Sequence, residues 1–472
     1  MITRMSRFLD MTTDPSEYAT SAYPADLDSL VAAPAQKTVS RSRADRERVD
    51  PYRVFFYALL AYLYFFCSRI SELTTWARFA LVLLPILLIG VIVSRRSTEI
   101  LQMRSGKALI AFTFWVAACI PTSLWRSDSL NVLRGTLISL FIAVAMAAFV
   151  RTVRDSFQVM YTIGLAMATV AIMGLVKRPV AGGGERLGAA GTLTLSDPNF
   201  FCLYLLVGIC FLLLSVSVHR GLKRLLSLGL VILCLGSAAR TGSRMGLFAF
   251  AVGVLAFFIF GTKRQRIYMV VSTLLIALVV PPLLPQTVRQ RFLVLFTSTG
   301  DTTGINQGFE TISPSERAAV ASADIRKQLF LRSLRFTYEH PIFGVGPGQF
   351  MQAEVNLATE EKRKALWFYS HNAYTETSSE TGVLGFVLFI VALFGAQVGL
   401  RRIRKYGPDL RTRRMALFLQ LALIIVTVCA AFLTLGYGGI IWILIGVAGT
   451  FQLAVAREAK LTQSHLAGLD GR

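Results

Sequence analysis

Apolar runs long enough to cross a lipid bilayer recur along this chain and constrain its fold more than any other feature. A helix needs about 20 apolar residues to cross a hydrocarbon layer of roughly 30 Å. We identify about twelve runs, near residues 53–68, 77–94, 108–125, 131–150, 157–176, 199–218, 222–238, 244–260, 267–284, 381–399, 415–433 and 437–455. The first is the weakest, because it is short and rich in aromatic residues. The sequence therefore predicts an all-α, polytopic membrane helix bundle.

The net charge of +22 follows the topology expected for these runs. If the basic segment from Arg41 to Arg53 is cytoplasmic, the inside connections carry more than twice as many basic residues as the short outside connections. The densest inside block runs from Arg401 to Arg414. This positive-inside bias predicts that both termini are cytoplasmic. Contact with anionic membrane lipid then accounts for the charge without a nucleic-acid partner.

The polar segments divide the chain into five regions. These are a disordered cytoplasmic tail (1–50), a first transmembrane part (51–284), a periplasmic loop subdomain (285–380), a second transmembrane part (381–456) and a cytoplasmic tail (457–472). The tail at 1–50 is polar and of mixed charge, which is typical of disorder. The six cysteines all lie in apolar runs and predict small buried hydrophobic side chains without a disulfide framework: Cys67, Cys119, Cys202, Cys210, Cys234 and Cys429.

Two outside connections are long enough to carry function. The first, about 177–198, contains three consecutive glycines and ends in Ser196-Asp197-Pro198-Asn199, a helix-start signal. The second, about 285–380, is too long for a structureless loop. We expect helices near 315–339 and near 350–380, separated by the segment from His340 to Gly348.

Charged residues avoid the middle of the apolar runs. The runs contain essentially no central Asp, Glu, Lys or His, and charges lie instead at their outer ends, at Arg134, Arg240, Arg244 and Glu380. An ion-coupled transporter would place ionisable groups near the bilayer midplane. The pattern therefore favours chemistry at the outer face of the membrane over coupled transport.

His371 is the most informative titratable residue. It lies at the end of the long polar segment, just before the apolar run that opens at Gly382. A histidine titrates near neutral pH, so one at a membrane boundary is a candidate for proton transfer on a lipid-borne substrate. The alternative is an ordinary hydrogen-bonded loop histidine. His340 is a rival, but it precedes a proline and is expected to end a helix.

The segment Arg240-Thr241-Gly242-Ser243-Arg244 forms a very short outside turn. If Ser243 caps the next helix, Arg244 stands at its amino terminus, where a cation opposes the helix dipole. A bound anion such as pyrophosphate would make this arrangement favourable. The alternative is an arginine that extends to the membrane interface without a ligand.

Taken in order along the chain, these motifs resemble those of the O-antigen ligase/polymerase superfamily of polytopic membrane glycosyltransferases. His371-Asn372 is followed by nine residues and then by Gly382-Val383-Leu384-Gly385, which is similar to the signature at the end of that family's large periplasmic loop. The segment from His340 to Phe350, the Thr241–Arg244 turn and the stretch from Gly188 to Asn199 also resemble family motifs. The resemblance covers roughly residues 180–400.

The resemblance implies a GT-C-like glycosyltransferase of the bacterial inner (plasma) membrane, inverting, metal-independent and without another cofactor. Its partners would be an undecaprenyl-pyrophosphate-linked glycan donor, an acceptor hydroxyl on a lipid or glycan, and membrane lipids, with the reaction at the periplasmic face. By position, His371 would be the general base. Arg244, together with Arg240 and Arg186, would bind the donor pyrophosphate.

Four residues close to His371 are weaker candidates for orienting the base or binding the acceptor: Asn372, Tyr374, Glu376 and Glu380. On a helix, Asn372, Glu376 and Glu380 would share one face. A carboxylate there could orient the base or bind sugar hydroxyls. The alternative is a favourable interaction of the carboxylates with the amino-terminal end of the helix.

Three other functions remain open. A polymerase, with a second lipid-linked glycan as acceptor, would share the fold and the donor. A polysaccharide flippase or exporter would also have many spans, but it predicts charge inside the membrane and a polar pore. A non-catalytic scaffold leaves the arginines and His371 unexplained.

Overall fold

The computed structural model describes residues 51–73, 79–176, 186–189, 192, 194–286, 288–290, 292 and 314–470. The tail predicted at 1–50, the triple glycine at 182–184 and much of the segment 285–313 therefore lie outside the described residues. The residues described are helices and connecting segments, without a strand. The predicted all-α class is confirmed.

The helices, numbered in chain order, are α1 (Arg53–Ser68), α2 (Ile70–Leu73), α3 (Phe79–Ser94), α4 (Arg104–Cys119), α5 (Arg126–Phe149), α6 (Val153–Val176), α7 (Pro198–Val218), α8 (Gly221–Arg240), α9 (Arg244–Phe260), α10 (Lys263–Leu283), α11 (Pro314–Glu339), α12 (Phe350–Glu360), α13 (Ala373–Tyr406), α14 (Leu410–Ala430) and α15 (Gly439–Asp470). Within the described part of the chain, nine helices are long and apolar enough to cross a membrane, and three shorter apolar helices accompany them. They match the twelve predicted runs.

The centre of the bundle is built around α7. It contacts α6, α8, α9 and α14, and most of its side chains are buried. Gly208 lets α7 approach α6 closely, because a Cβ at that position would meet the Met167 side chain. At the other extreme, α10 buries none of its residues and packs mainly against α9. The six cysteines are free and buried, as predicted.

The loop subdomain packs on the bundle through α11 and α12. Helix α11 lies against α13, and a small core forms between the two loop helices around Leu329, Phe336 and Phe350. Helix α11 ends at Glu339, as the His340-Pro341 sequence predicts. The helix predicted near 350–380 is wrong in its extent, because α12 ends at Glu360 and residues 361–372 are not helical.

A carboxy-terminal cap stops α12 without a glycine. Lys362 takes a left-handed conformation with φ 50°. Its N–H donates to the carbonyl of Thr359, and the N–H of Arg363 donates to that of Ala358, which is the Schellman pattern. The Arg363 guanidinium then returns to the buried Glu354 carboxylate at 2.6 and 3.0 Å. This ion pair fixes the turn that the sequence pattern does not predict.

Candidate active site

A cavity of about 480 Å³ lies at one end of the bundle, where the loop subdomain meets the membrane helices. Four segments distant in sequence contribute to its wall. The lining residues are Arg244, Met245 and Phe248 of α9, Arg326, Lys327 and Phe330 of α11, Ser370, His371 and Asn372, and Ala431 and Phe432 after α14. Three predicted residues line this cavity, and it brings Arg244 together with His371 and Asn372 across more than a hundred positions of sequence.

His371 is held in an unusual backbone conformation. Its φ is 51°, in the left-handed region, where histidine is tolerated better than most non-glycine residues. The side chain is half-buried in the cavity wall. Its ring lies beside that of Phe368, with 6.3 Å between the two centroids. Strain of this kind persists only where neighbouring contacts fix the chain, and it is common at functional sites.

Asn372 fixes the chain directly after His371. It is the N-cap of α13, and its Oδ1 accepts hydrogen bonds from the N–H groups of Tyr374 and Thr375 at 3.0 and 3.3 Å. Its carbonyl also accepts a bond from the Ser370 hydroxyl at 3.2 Å. Asn372 therefore positions His371 at the start of a long helix as well as lining the cavity.

The environment of His371 favours its neutral form. Burial lowers the pKa of the imidazole below its ordinary value of 6.5, and the positive charge of Arg326 lowers it further. The Asp197 carboxylate opposes these effects by raising the pKa. A neutral imidazole can accept a proton, whereas an imidazolium cannot. The surroundings of His371 therefore favour the form of the imidazole that can accept a proton.

Arg244 opens helix α9 at the wall of the cavity. The predicted Ser243 cap is confirmed, since the Ser243 hydroxyl oxygen accepts a hydrogen bond from the N–H of Gly246 at 3.1 Å. The same hydroxyl donates to Oδ1 of Asn199 at 2.8 Å. Asp197 in turn caps α7 by accepting from the N–H of Asn199 at 2.6 Å. The Asp-Pro-Asn segment therefore joins the starts of two helices and fixes the position of Arg244.

Arg186 and Arg240 lie beside this turn, and neither is in the cavity wall. The Arg186 Nε donates to the carbonyl of Thr241 at 2.9 Å, and the N–H of Leu187 donates to the carbonyl of Arg240 at 3.1 Å. The Arg240 side chain is exposed. In this structure Arg186 braces the turn that carries Arg244, and pyrophosphate binding by Arg186 and Arg240 stays a prediction.

Arg326 and Lys327 are functional candidates that sequence reasoning missed. They lie on α11 among many other charged residues, so no spacing or motif distinguishes them. Burial lowers the pKa of Arg326 and the like charge of Arg244 lowers it further, whereas the Asp197 carboxylate raises it. Three cations thus line the described cavity wall, and no carboxylate does. A bound anion would relieve the repulsion between them.

Tyr374, Glu376 and Glu380 contact the protein interior instead of the cavity. The Tyr374 hydroxyl donates to the carbonyl of Thr427 at 2.8 Å. The Glu376 carboxylate accepts from the N–H of Gly436 at 2.8 Å. The Glu380 carboxylate accepts from the N–H groups of Gly348 and Phe350 at 2.6 and 3.1 Å, respectively. The two glutamates therefore tie α13 to two loops.

Gly382 interrupts α13, and the segment from His340 to Gly348, which we term the glycine-rich loop, docks at this break. Its φ of 70° and ψ of −175° are not helical, and they lie in a region used essentially by glycine alone. Directly after the break the N–H of Val383 donates to the carbonyl of Pro341, and directly before it lie the carbonyls of Ser379, Glu380 and Thr381. These carbonyls accept from the N–H groups of Val345 and Gly346 and from the indole Nε1 of Trp115.

His340, the rival histidine, is exposed and is not part of the cavity wall. Its carbonyl accepts from the N–H of Gly344 at 3.0 Å in the turn that follows α11. Among the described residues, no group of three or more His, Cys, Asp or Glu side chains is arranged to hold a metal ion. His371 is therefore the histidine that meets the cationic cavity.

A comparison with protein families finds one match within the chain. The O-antigen ligase family model matches residues 228–390. Over this part of the chain the protein is similar to the O-antigen ligase/polymerase superfamily. The matched part includes Arg240, Arg244, the helices α11 and α12, His371 and Gly382, whereas Arg186 precedes it. A comparison with curated proteins found no match. The family indicates a membrane enzyme of the glycan ligase or polymerase type.

Proposed function

We propose that this protein transfers a glycan from undecaprenyl pyrophosphate to an acceptor hydroxyl at the periplasmic face of the bacterial inner membrane. The supporting observation is a single cavity that joins three cations to a half-buried histidine whose pKa is lowered by burial and by Arg326. The cavity also has an apolar wall formed by Met245, Phe248 and Phe432. The histidine suits the acceptor hydroxyl, the cations suit the pyrophosphate of the donor, and the apolar wall suits its prenyl chain.

In the proposed reaction, His371 accepts the proton of the acceptor hydroxyl as its oxygen attacks the anomeric carbon of the donor glycan. The new carbon–oxygen bond forms while the bond from that carbon to the pyrophosphate oxygen breaks. Attack on the face opposite the leaving group inverts the anomeric configuration. A positioned general base contributes roughly 10²–10⁴-fold to such a step. The proton then passes from His371 to solvent or to the released pyrophosphate.

The cations hold and neutralise the leaving group. Arg244 stands at the amino terminus of α9, where backbone N–H groups and the helix dipole attract anions. Arg326 and Lys327 approach from the loop subdomain on the other side of the cavity. Fixed cations aimed at developing charge supply transition-state stabilisation in a partly dehydrated site. We propose that these side chains take the place of a divalent metal.

A transfer assay with purified protein in lipid nanodiscs tests this function. The donor is an undecaprenyl-pyrophosphate-linked glycan, supplied with EDTA and either a terminal lipid acceptor or a second lipid-linked glycan. We expect His371→Ala and Arg244→Ala to lose product while inserting normally. His340→Ala is the matched control and should retain wild-type turnover, because its side chain is exposed outside the cavity.

The acceptor that yields product distinguishes a ligase from a polymerase. A requirement for added divalent metal would contradict the proposed role of the cations. Wild-type turnover by His371→Ala would reject the proposed base. Transport of the donor across the bilayer without a covalent product would instead indicate a flippase.

A further inference from the structure

Helix α11 has three distinct faces. Successive residues of a helix are about 100° apart around its axis, so residues three, four and eight apart fall on one side. One face is buried against the protein through Leu329, Ser333 and Phe336. A second face is charged and includes Arg332, Arg335 and Glu339. The third, which we term the apolar face of α11, comprises Phe330, Leu331, Leu334 and Tyr338.

The apolar face of α11 is exposed although it lies outside the membrane-spanning helices. Leu331 is 54% exposed and Tyr338 is 87% exposed. Arg332 and Arg335 form ion pairs with Glu361 on the neighbouring charged face, so the helix already has a side suited to water. A second exposed side of large apolar residues needs an apolar environment to cover it.

The apolar surface continues to the end of a membrane helix. After α11, the exposed side chains of Ile342 and Phe343 follow in the chain. The Phe343 ring stacks on Trp115 near the carboxyl end of α4, with 5.4 Å between centroids and 14° between planes. Because α4 is a candidate membrane span, this contact connects the apolar surface to the region where that span leaves the bilayer.

A second exposed segment next to the cavity has the composition of a membrane interface. Trp367, Phe368 and Tyr369 are consecutive, and all three are exposed. Tryptophan and tyrosine are enriched where the hydrocarbon layer meets the lipid headgroups. Lys327, on the same side of α11 as the apolar face, supplies a cation that suits anionic headgroups.

We infer that the loop subdomain lies on the membrane, with the apolar face of α11 inserted among the lipids of the leaflet on the cavity's side. The partner is the lipid surface itself. The stacking of Phe343 on Trp115 of α4 and the exposed aromatic residues 367–369 both place the apolar face of α11 at the level of the bilayer. An amphipathic helix of this kind buries its apolar side roughly 5–10 Å into the interface. The charged face of α11 then remains in water.

This orientation determines how a lipid-borne substrate reaches the cavity. Phe330 belongs to the apolar face, Lys327 lies on the same side of the helix three residues before it, and both also line the cavity. The cavity therefore opens at the lipid surface, and a donor arrives by diffusion within the leaflet. This consequence rests on the proposed function, whereas the membrane contact itself does not.

Fluorophore depth measurements test the contact independently of activity. The environment-sensitive dye NBD is attached to Leu334→Cys and, as a matched control on the charged face of the same helix, to Gln328→Cys. Both are placed in the full-length protein, whose six native cysteines are buried; labelled wild type gives the background. The proteins are reconstituted in nanodiscs that contain phospholipid with a nitroxide near the headgroup.

We expect quenching of the dye at position 334 to exceed that at position 328 by about twofold or more, since only the former enters the leaflet. Equal quenching at the two positions would overturn the inference. Shielding of position 334 from nitroxide, together with energy transfer between labelled copies, would also overturn it by showing that protein covers the face.

A pair of charge variants relates the contact to turnover. Leu334→Glu should lower transfer from the undecaprenyl-linked donor by about tenfold and leave transfer from a water-soluble, short-prenyl donor unchanged, because it opposes insertion. Gln328→Glu is the control and should leave both rates unchanged. Equal loss with both donors would contradict the inference. Preferential quenching at position 334 in a protein without transferase activity would uphold the membrane contact and reject the proposed function.

Discussion

Replacing Gly382 by alanine should disrupt the site without touching the cavity. The native φ of 70° with ψ of −175° is a strained conformation for any residue with a Cβ, at a cost of about 1–3 kcal/mol. The added Cβ would also overlap the backbone carbonyls of Pro341 and Ile342. These are backbone atoms, so the loop itself has to move.

Movement of the loop breaks the hydrogen bonds that dock it on α13. The N–H of Val383 donates to the carbonyl of Pro341 at 2.9 Å, and the N–H of Val345 donates to that of Ser379 at 2.9 Å. Each such bond contributes about 1 kcal/mol. Together with the strain, we expect Gly382→Ala to destabilise the native arrangement by about 3–5 kcal/mol. Because about 1.4 kcal/mol corresponds to tenfold in a rate, transfer should fall by more than about tenfold.

Gly395→Ala is the matched control in the same helix. No atom lies within 4 Å of a Cβ built there, and alanine favours a helix more than glycine does, so this variant should melt no lower than wild type and keep its transfer rate. Both variants are compared for membrane insertion, thermal stability in detergent and product formation. Wild-type stability and turnover in Gly382→Ala, or equal losses in the two variants, would refute the reasoning.

Three further outcomes follow from the site and its supports. The rate depends on neutral His371, whose pKa is lowered by burial and by Arg326, so kcat/KM should fall only as the pH drops below about 6.5. Arg326→Gln should shift the pH at which kcat/KM falls to a higher value, because it removes a positive charge that lowers the pKa of His371. An unchanged or lower pH for this fall would contradict the role of His371. Asn372→Ala should cost about 1 kcal/mol of stability through loss of the cap, whereas Asn372→Asp should retain it; thermal unfolding of the pair decides. Arg363→Ala should lower the melting temperature because it leaves Glu354 without its bidentate partner, and Arg363→Lys should restore only part of the loss, since lysine lacks the forked geometry.

The sequence predicts the membrane helices well because their length is set by bilayer thickness. The twelve apolar runs reappear as helices, although α13 begins at Ala373 before the run predicted at 381–399 and α15 continues to Asp470 beyond the run predicted at 437–455. Local signals were also sufficient for the Ser243 cap and for the helix end before Pro341. In each case the determining interaction lies within a few residues of the signal.

The remaining features depend on contacts between distant segments. Arg326 has the same appearance in sequence as other arginines of α11, and only packing places it beside Arg244 and His371. The ion pair between Arg363 and Glu354 stabilises the turn at the end of α12. The spacing of apolar residues in the sequence does not predict this contact. Glycine at 382 marks a helix break, but its partners in the glycine-rich loop appear only in the structure.

The most direct test of the proposed mechanism is to measure donor binding and single-turnover transfer in the same His371→Ala protein. If His371 acts as the base and the cations hold the pyrophosphate, this variant should bind the undecaprenyl-pyrophosphate donor with a Kd close to wild type. Its transfer step should then be slower by about 10²–10⁴-fold. Transfer at the wild-type rate, or loss of transfer that is explained entirely by lost donor binding, would contradict the account.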